Sequence, residues 1–235
     1  MIADNSAWLA AQYHMPLLYS CRVPMTSPLS GRALPAPGPA TIQLALLRVG
    51  IELFGLERSR NELLPVIIRC FPIVRPPDEI AISNQLVKAF KARDSGKVEE
   101  GMSYREYVHA KGNLTIYVSV PVHLIDLFTT LFKGVGYFGQ TDSFATCVSV
   151  REANPEPGSY GQPLEKFKAV RPLGQYHTSF VTELRDERVS WAELNAADGD
   201  CNGSALRIRL HVWPLTVCEC SSAGSRLRYC SLLQA

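Results

Sequence analysis

The chain lacks most of the marks by which a sequence declares a chemistry. It has no HExxH pair to hold a catalytic zinc, no Walker loop for a nucleotide phosphate, and no Ser/His/Asp order for acyl transfer. The paired carboxylates Glu99-Glu100 sit in an evidently exposed segment rather than a cleft. Long apolar runs are missing: Gln43, Arg48 and Glu52 break the best candidate, so no membrane span is expected. The basic start and apolar core of a signal peptide are absent, since Asp4 interrupts the N-terminus. Seven cysteines, an odd number with no secretory signal, point to free thiols in a reducing cytoplasm. There the Asn113-Leu114-Thr115 and Asn202-Gly203-Ser204 triplets mean nothing as glycosylation acceptors. Net charge is nearly missing as well. At +2 it supplies no polybasic tail, so any contact with nucleic acid must come from local clustering.

What is present is an ordinary globular composition, 46% hydrophobic and 20% charged, in a chain long enough for one large or two small domains. Its focal stretch is Lys133-Gly134-Val135-Gly136-Tyr137-Phe138-Gly139-Gln140-Thr141-Asp142-Ser143. This spells GxGxxG, but a dinucleotide loop leaves a strand and opens a helix. Here Leu124, Ile125, Leu127, Phe128, Leu131 and Phe132 follow helical spacing upstream, and 144–150 is β-rich downstream. The order is reversed, which weighs against a nucleotide fold. Two readings stand: a tight turn in which glycine supplies positive φ, or a backbone-lined concavity whose N–H groups meet phosphate beside Lys133.

Along the chain, 8–23 reads as a first strand bent at Pro16, followed by a long proline- and glycine-rich loop over 24–39. Pro39 suits the first turn of a helix running to Gly55, apolar on most sides and therefore buried, with its positive end facing that loop. A further helical turn follows over 57–64, then a strand over 66–74 with a bulge or edge at Pro72. Residues 80–101 carry Lys88, Lys91, Arg93 and Lys97 around Ser95-Gly96 and read as a mobile basic excursion or a solvated loop. A β-rich strand covers 114–120, and 154–161 reads as a linker. In the tail, 180–184 and 205–213 read as strands. On the second, Leu206, Ile208, Leu210 and Val212 face one way and Arg207, Arg209, His211 and Trp213 the other. That polar face is either a nucleic-acid surface or simply the solvated side of a sheet.

The first half thus runs β-α-β-β-α-β, the ferredoxin-like order of an α+β fold, with an insertion between its middle strands and a small β-rich C-terminal extension. Several motifs then occur together. They are an opening strand running into Arg22-Val23-Pro24; a Leu34-Pro35-Ala36-Pro37-Gly38-Pro39-Ala40-Thr41 lead into the first helix; Tyr104-Arg105-Glu106-Tyr107-Val108-His109; and a helix closing in Gly134 to Gly139 before Asp142-Ser143. In this order the chain resembles the Cas-five subunit of type I CRISPR effector complexes, in the RAMP superfamily, and most of all its subtype I-A-like branch. The likeness covers most of the chain to about Val150.

The resemblance implies a non-catalytic RNA-binding subunit that caps the 5′ handle of the guide RNA (crRNA) in a Cascade-like surveillance complex for antiviral defence. It implies no cofactor and no metal. Neighbours would be backbone subunits of the Cas-seven type and a large subunit of the Cas-eight type, with target DNA met only indirectly. A ferredoxin-like RAMP palm over 1–153 would carry a thumb-like hairpin at about 80–111, and 154–235 would be the extension. The RNA surface would draw on Arg22, Gly38 and Thr41; on Lys88, Lys91, Arg93, Tyr104, Arg105, His109 and Lys111; and on Lys133, Gly134, Gly136, Tyr137, Gln140 and Ser143. Tyrosines among these suit base stacking, and glycine N–H groups suit phosphate.

Two alternatives remain open at this point. One branch of the family trims precursor guide RNA as a metal-independent endoribonuclease, and His109 lies near Tyr104, Tyr107 and Lys111, groups able to move protons. The other is a ferredoxin-like interaction module that meets no RNA. A zinc site from Cys201, His211, Cys218, Cys220 and Cys230 is disfavoured, because Cys218-Glu219-Cys220 is too tight for the usual knuckle.

Overall fold

The computed structural model describes residues 5–24, 26, 30–92, 98–168, 175–186, 188–194, 205–222 and 225–232. Within them the chain is mixed α/β, with sheets that are antiparallel except for one short pairing. Its first half runs β1 (Ser6–His14), β2 (Ser30–Gly31), α1 (Pro39–Phe54), α2 (Leu56–Arg58), a π-helical turn (Ser59–Leu63), α3 (Leu64–Arg69) and β3 (Ile73–Arg75). A long hairpin follows, β4 (Glu79–Ala92) and β5 (Val98–Lys111), then β6 (Leu114–Pro121), α4 (Ile125–Gly134) and β7 (Thr146–Glu152). The tail adds β8 (Gln162–Pro163), β9 (His177–Leu184), α5 (Trp191–Leu194), β10 (Leu206–Trp213), β11 (Leu215–Ser222) and β12 (Ser225–Leu232).

Alternation builds the first sheet. Leu9, Ala11 and Tyr13 lie on one face of β1, opposite Val118, Ile116 and Leu114 of β6, and all six are buried. The sheet order is β3-β6-β1-β7, antiparallel throughout. On its inner face lie Phe128, Leu131 and Phe132 of α4 and Ile42, Leu46 and Val49 of α1. Tyr13 brings a hydroxyl into this core and satisfies it by donating to the Phe132 carbonyl at 2.6 Å. Helix α1 is buried as its composition requires. It ends at Gly55, whose φ of 82° only glycine adopts freely, with the Gly55 N–H returned to Ile51 at 2.9 Å.

Three segments differ from their sequence reading. The first strand, read over 8–23, ends at His14, before Pro16, which cannot donate to a ladder, and beyond it the chain keeps only isolated bridges at Tyr19 and Arg22. The strand expected over 66–74 is mostly α3, and β3 keeps only three residues. A short apolar run does not itself distinguish strand from helix. Leu64, Ile67 and Ile68 here use the i, i+3, i+4 spacing to bury against α1. Gln43 of α1 settles the matter by donating its amide to the Ile67 and Ile68 carbonyls at 3.1 and 3.3 Å, where a helix end needs partners. The mobile excursion expected over 80–101 is a hairpin of two fourteen-residue strands, paired from Glu79 with Lys111 to Ala92 with Val98. Its base is buried through Ile80, Ile82, Val108 and Ala110, and backbone pairing carries it outward from there. The tail reaches it as well: β12 pairs with β4, giving the order β11-β12-β4-β5-β2.

The polar face of β10 is neither of the surfaces expected of it. It points inward, where Trp213 and His211 are buried, while Leu206 and Ile208 on the other face are exposed. The reason is Glu183 of β9, fully buried on the same face. His211 Nε2 lies 2.9 Å from Glu183 Oε1, Arg207 Nε donates to Oε2 at 2.9 Å, and an Arg209 Nη stands 3.6 Å from Oε2. Trp213 Nε1 donates to Ser179 Oγ at 2.8 Å. The acidic partner sits in a different strand, so no local pattern reveals it.

Burial pushes the Glu183 carboxyl up, but the His211 and Arg207 hydrogen bonds and charges outweigh this and hold it below its usual value. A lowered folded-state value means stability that is fully present above the unfolded carboxylate range and is lost as pH falls through the folded one. Glu183→Ala is expected to cost about 2–3 kcal/mol in urea unfolding at pH 7. That is less than a wholly buried pair would lose, because Arg207 and Arg209 reach solvent. The gap between variant and native chain should narrow as pH drops below about 4. A gap that stays constant with pH would contradict this account.

Candidate nucleic-acid interface

Residues 15–24 and 30–38 cross the base of the hairpin as a strap. Tyr19 and Val108 exchange backbone hydrogen bonds at 3.0 and 2.8 Å, Leu34 N–H donates to Cys21, and Gly31 pairs in parallel with Arg105. The strap is fixed from beneath by buried groups. Tyr19 donates its hydroxyl to the Pro35 carbonyl at 2.6 Å, Ser20 Oγ donates to the Glu106 carbonyl at 2.9 Å, and Ala33 N–H donates to Glu106 Oε2 at 2.9 Å. The glycine-rich loop after α4 then closes on the strap, since Ser20 N–H donates to Ser143 Oγ at 3.2 Å. Burial and the Asp142 carboxylate push the Cys21 thiol up to about 12, so it stays protonated at neutral pH beneath this junction.

The result is a crease between hairpin and loop, bordered by strands that carry three arginines. Arg22 lies opposite Ala33, next to Arg32, and Gly31 lies beside Arg105. Arg105 Nη1 reaches across to Gln140 Oε1 at 3.1 Å. Arg22 and Arg32 are exposed. Arg22 donates to Thr26, through Nε to Oγ1 at 3.2 Å and through Nη2 to the carbonyl. Thr41 in the first turn of α1 is close by, its methyl 3.6 Å from where a Cβ on Gly139 would lie. Arg32 had no sequence signal beyond its place in the loop; the parallel pairing with β5 that recruits it is non-local.

Other expected site residues lie elsewhere. Gly38 is buried, and a Cβ there would sit 3.5 Å from the Thr182 carbonyl of β9, so the start of α1 is roofed by the tail. Ser143 is wholly buried. Tyr137 lies under the Arg48 guanidinium, 4.0 Å from its ring centre, with Arg48 also paired to Glu52. Gly134 serves packing: a Cβ there would lie 2.5 Å from Val49 Cγ1, whereas one on Gly136 meets nothing within 4 Å. Lys133 is exposed at the end of α4 and has no ion pair among the described residues. Tyr104 is 59% exposed opposite Leu86 on the hairpin, and Lys88, further out, pairs with Glu100 at 3.5 Å. The Lys91 side chain and Arg93 lie outside the described residues.

His109 and Lys111 belong to a second feature. With His14 at the end of β1 they line a concavity of about 470 Å³ floored by Met15, Pro16, Ile80 and Ala110, and Lys111 pairs with Glu79 at 3.1 Å. In the tail, Cys201 and the side chains of Cys218 and Cys220 lie outside the described residues, and Cys230 is buried. Among the described residues no three His, Cys, Asp or Glu side chains gather to hold a metal ion, and no helix is long and apolar enough to cross a membrane.

Against this geometry, the chain is similar to a CRISPR-associated protein. That relative is the CRISPR-associated protein Cas5 of Archaeoglobus fulgidus, 24% identical over 156 residues that span 65% of this chain and 68% of the relative. The resemblance drawn from the motif order is thus met by a curated homologue. The crystal structure of a CRISPR protein from Archaeoglobus fulgidus aligns with 96% of this chain and 91% of that chain, at 11% identity and a TM-score of 0.45. No family model matches the chain.

The two loop glycines separate packing from recognition. Gly134→Ala is expected to cost about 1–3 kcal/mol in thermal or urea unfolding by driving α4 off α1. Gly136→Ala should stay within about 0.5 kcal/mol of the native chain. Equal losses would mean that the loop, not the packing of α4 on α1, demands glycine.

Proposed function

We propose that the chain is a CRISPR-associated, RNA-binding subunit that holds the 5′ handle of a guide RNA in the crease between hairpin and glycine-rich loop. The observation that carries this reading is Arg105 held against Gln140 of the glycine-rich loop, beside a strap that carries exposed Arg22 and Arg32, in a chain whose net charge is only +2. Guanidinium groups on adjacent strands suit successive phosphates of a single strand. Similarity to a Cas5 protein supports the same assignment. On this reading the β3-β6-β1-β7 sheet with α1 and α4 is the ferredoxin-like palm, 154–235 the extension and the β4–β5 hairpin the thumb. Exposed Leu86, Met102 and Tyr104 would meet neighbouring effector subunits of the Cas-seven and Cas-eight types. Target DNA would be met only through the assembled complex, and the role needs no cofactor.

Binding of labelled repeat-derived RNA across a salt series tests the crease. Arg32→Glu with Arg105→Glu is expected to weaken binding by about tenfold or more and to flatten the salt slope by about 0.7 for each phosphate no longer neutralised. Unchanged affinity and slope would remove the crease as the RNA site.

One observation favours a second reading. His14, His109 and Lys111 share a concavity at the hairpin base, and two imidazoles with an ammonium can pass protons in metal-independent RNA cleavage. Incubating precursor RNA with the protein in chelator decides this on a denaturing gel. Discrete products abolished by His14→Ala and by His109→Ala would establish cleavage, and intact RNA would leave the holding role alone.

A further inference from the structure

The π-helical turn Ser59–Leu63 lies far along the chain from the crease residues and forms one wall of a separate concavity of about 310 Å³. A π turn is a poorer arrangement than the α-helix on either side and recurs at functional sites. This one presents Arg60 and Asn61 to the concavity, with Leu64, Pro65 and Ile68 below them. The facing wall is the tail segment Arg188 to Ala192. Its Trp191 is held in place by a capped turn. Ser190 N–H and Oγ both donate to Glu193 Oε2, at 2.8 and 2.9 Å, and Arg185 Nη2 donates to Glu193 Oε1 at 3.1 Å.

Charge is left over on both walls. The described neighbouring acids are already engaged: Glu62 with Arg58 at 3.0 Å, Glu193 with Arg185, and Asp186 with Arg185 Nε and the Arg188 backbone N–H. The Arg60 and Arg188 guanidinium groups form no ion pair among the described residues, although Arg188 lies within range of the Asp186 charge. The concavity therefore combines an apolar floor, a half-buried indole, an amide and two guanidinium groups from opposite walls. An anion alone would have no use for the floor, and an apolar ring alone would have none for the arginines.

We propose that this concavity binds a nucleoside 5′-phosphate unit, free or within a single strand, with its base against Trp191 and its phosphate between Arg60 and Arg188. Asn61 stands where an amide can hydrogen-bond a base edge. The volume falls at the small end of ligand-sized pockets and matches one nucleotide rather than a duplex. The assignment does not depend on the handle reading, since none of its residues lies in the crease.

The test uses the full chain carrying Arg32→Glu and Arg105→Glu, so that binding at the crease is suppressed. Adenosine 5′-monophosphate, a short single-stranded RNA, a short single-stranded DNA, ribose 5-phosphate and an acidic peptide are titrated by calorimetry up to millimolar concentration. Binding of the monophosphate and of either oligonucleotide is expected, with ribose 5-phosphate failing to compete. Arg60→Glu and Arg188→Glu are each expected to weaken binding by about tenfold. Both lie on exposed positions, and unchanged far-ultraviolet circular dichroism keeps folding out of the comparison. Binding confined to an oligonucleotide assigns the site to a strand, and binding of the monophosphate as well assigns it to free nucleotide. Preference for the acidic peptide, binding indifferent to both arginines, or no binding at all would overturn the proposal.

Discussion

Glu106 is the residue on which the candidate interface depends. Its backbone carbonyl takes the Ser20 hydroxyl and its carboxylate takes the Ala33 N–H, so one buried position of β5 fixes both limbs of the strap. Each such bond contributes only about 1 kcal/mol net, but leaving a buried carboxylate unmet costs more than that. The strap therefore has one docking position on the hairpin. Once it is docked, Gly31 lies beside Arg105 and Ala33 opposite Arg22, and Ser20 is placed to receive the glycine-rich loop through Ser143. Loop, strap and hairpin are three segments distant in sequence, and their polar groups are mutually satisfied only in this one arrangement.

The tail solves a different problem. Helix α1 is too apolar to leave an end in water, and β9 covers it, with Val181 and the Thr182 carbonyl against Gly38. Covering it brings a face of the β9–β10 sheet inward that carries two arginines and a histidine. A buried carboxylate is costly without partners, and all three answer Glu183 at once. Arg207 and Arg209 are engaged in internal neutralisation, whereas Arg32 meets no carboxylate among the described residues.

Local periodicity carried much of the fold. Helices α1 and α4 and strand β6 follow from spacing and punctuation because each buries a face that its own sequence defines. Segment 66–74 misled because Val66, Ile67 and Ile68 serve either geometry, and the deciding partner, Gln43, is more than twenty residues away. The hairpin strands misled for the opposite reason. Beyond their buried base, where β12 also pairs, they have little apolar alternation, and backbone pairing with one another holds them instead. The glycine-rich loop drew attention as a phosphate cradle, yet Phe138, Ser143 and Ala145 N–H groups are returned to the loop's own carbonyls and Gly134 answers to Val49. Arg32, by contrast, was visible only as one residue of a loop, since a parallel pairing across more than seventy positions leaves no local pattern.

Bulk charge could not have pointed to any of these surfaces, and the pairing pattern shows why. The basic residues nearly balance the acidic ones at a net +2, and many are consumed in ion pairs: Arg48 with Glu52, Arg75 with Asp78, Lys88 with Glu100, Lys111 with Glu79. Such exposed pairs add little stability, but they cancel the field around themselves. What a polyanion meets is therefore set by the cations left without acids. Among the described residues Arg32, Arg60 and Lys133 are of this kind, and they come from the strap, the π turn and the end of α4. The useful charge of the protein is thus placed by its tertiary contacts, through the acids they engage, rather than by the number of basic residues in the chain.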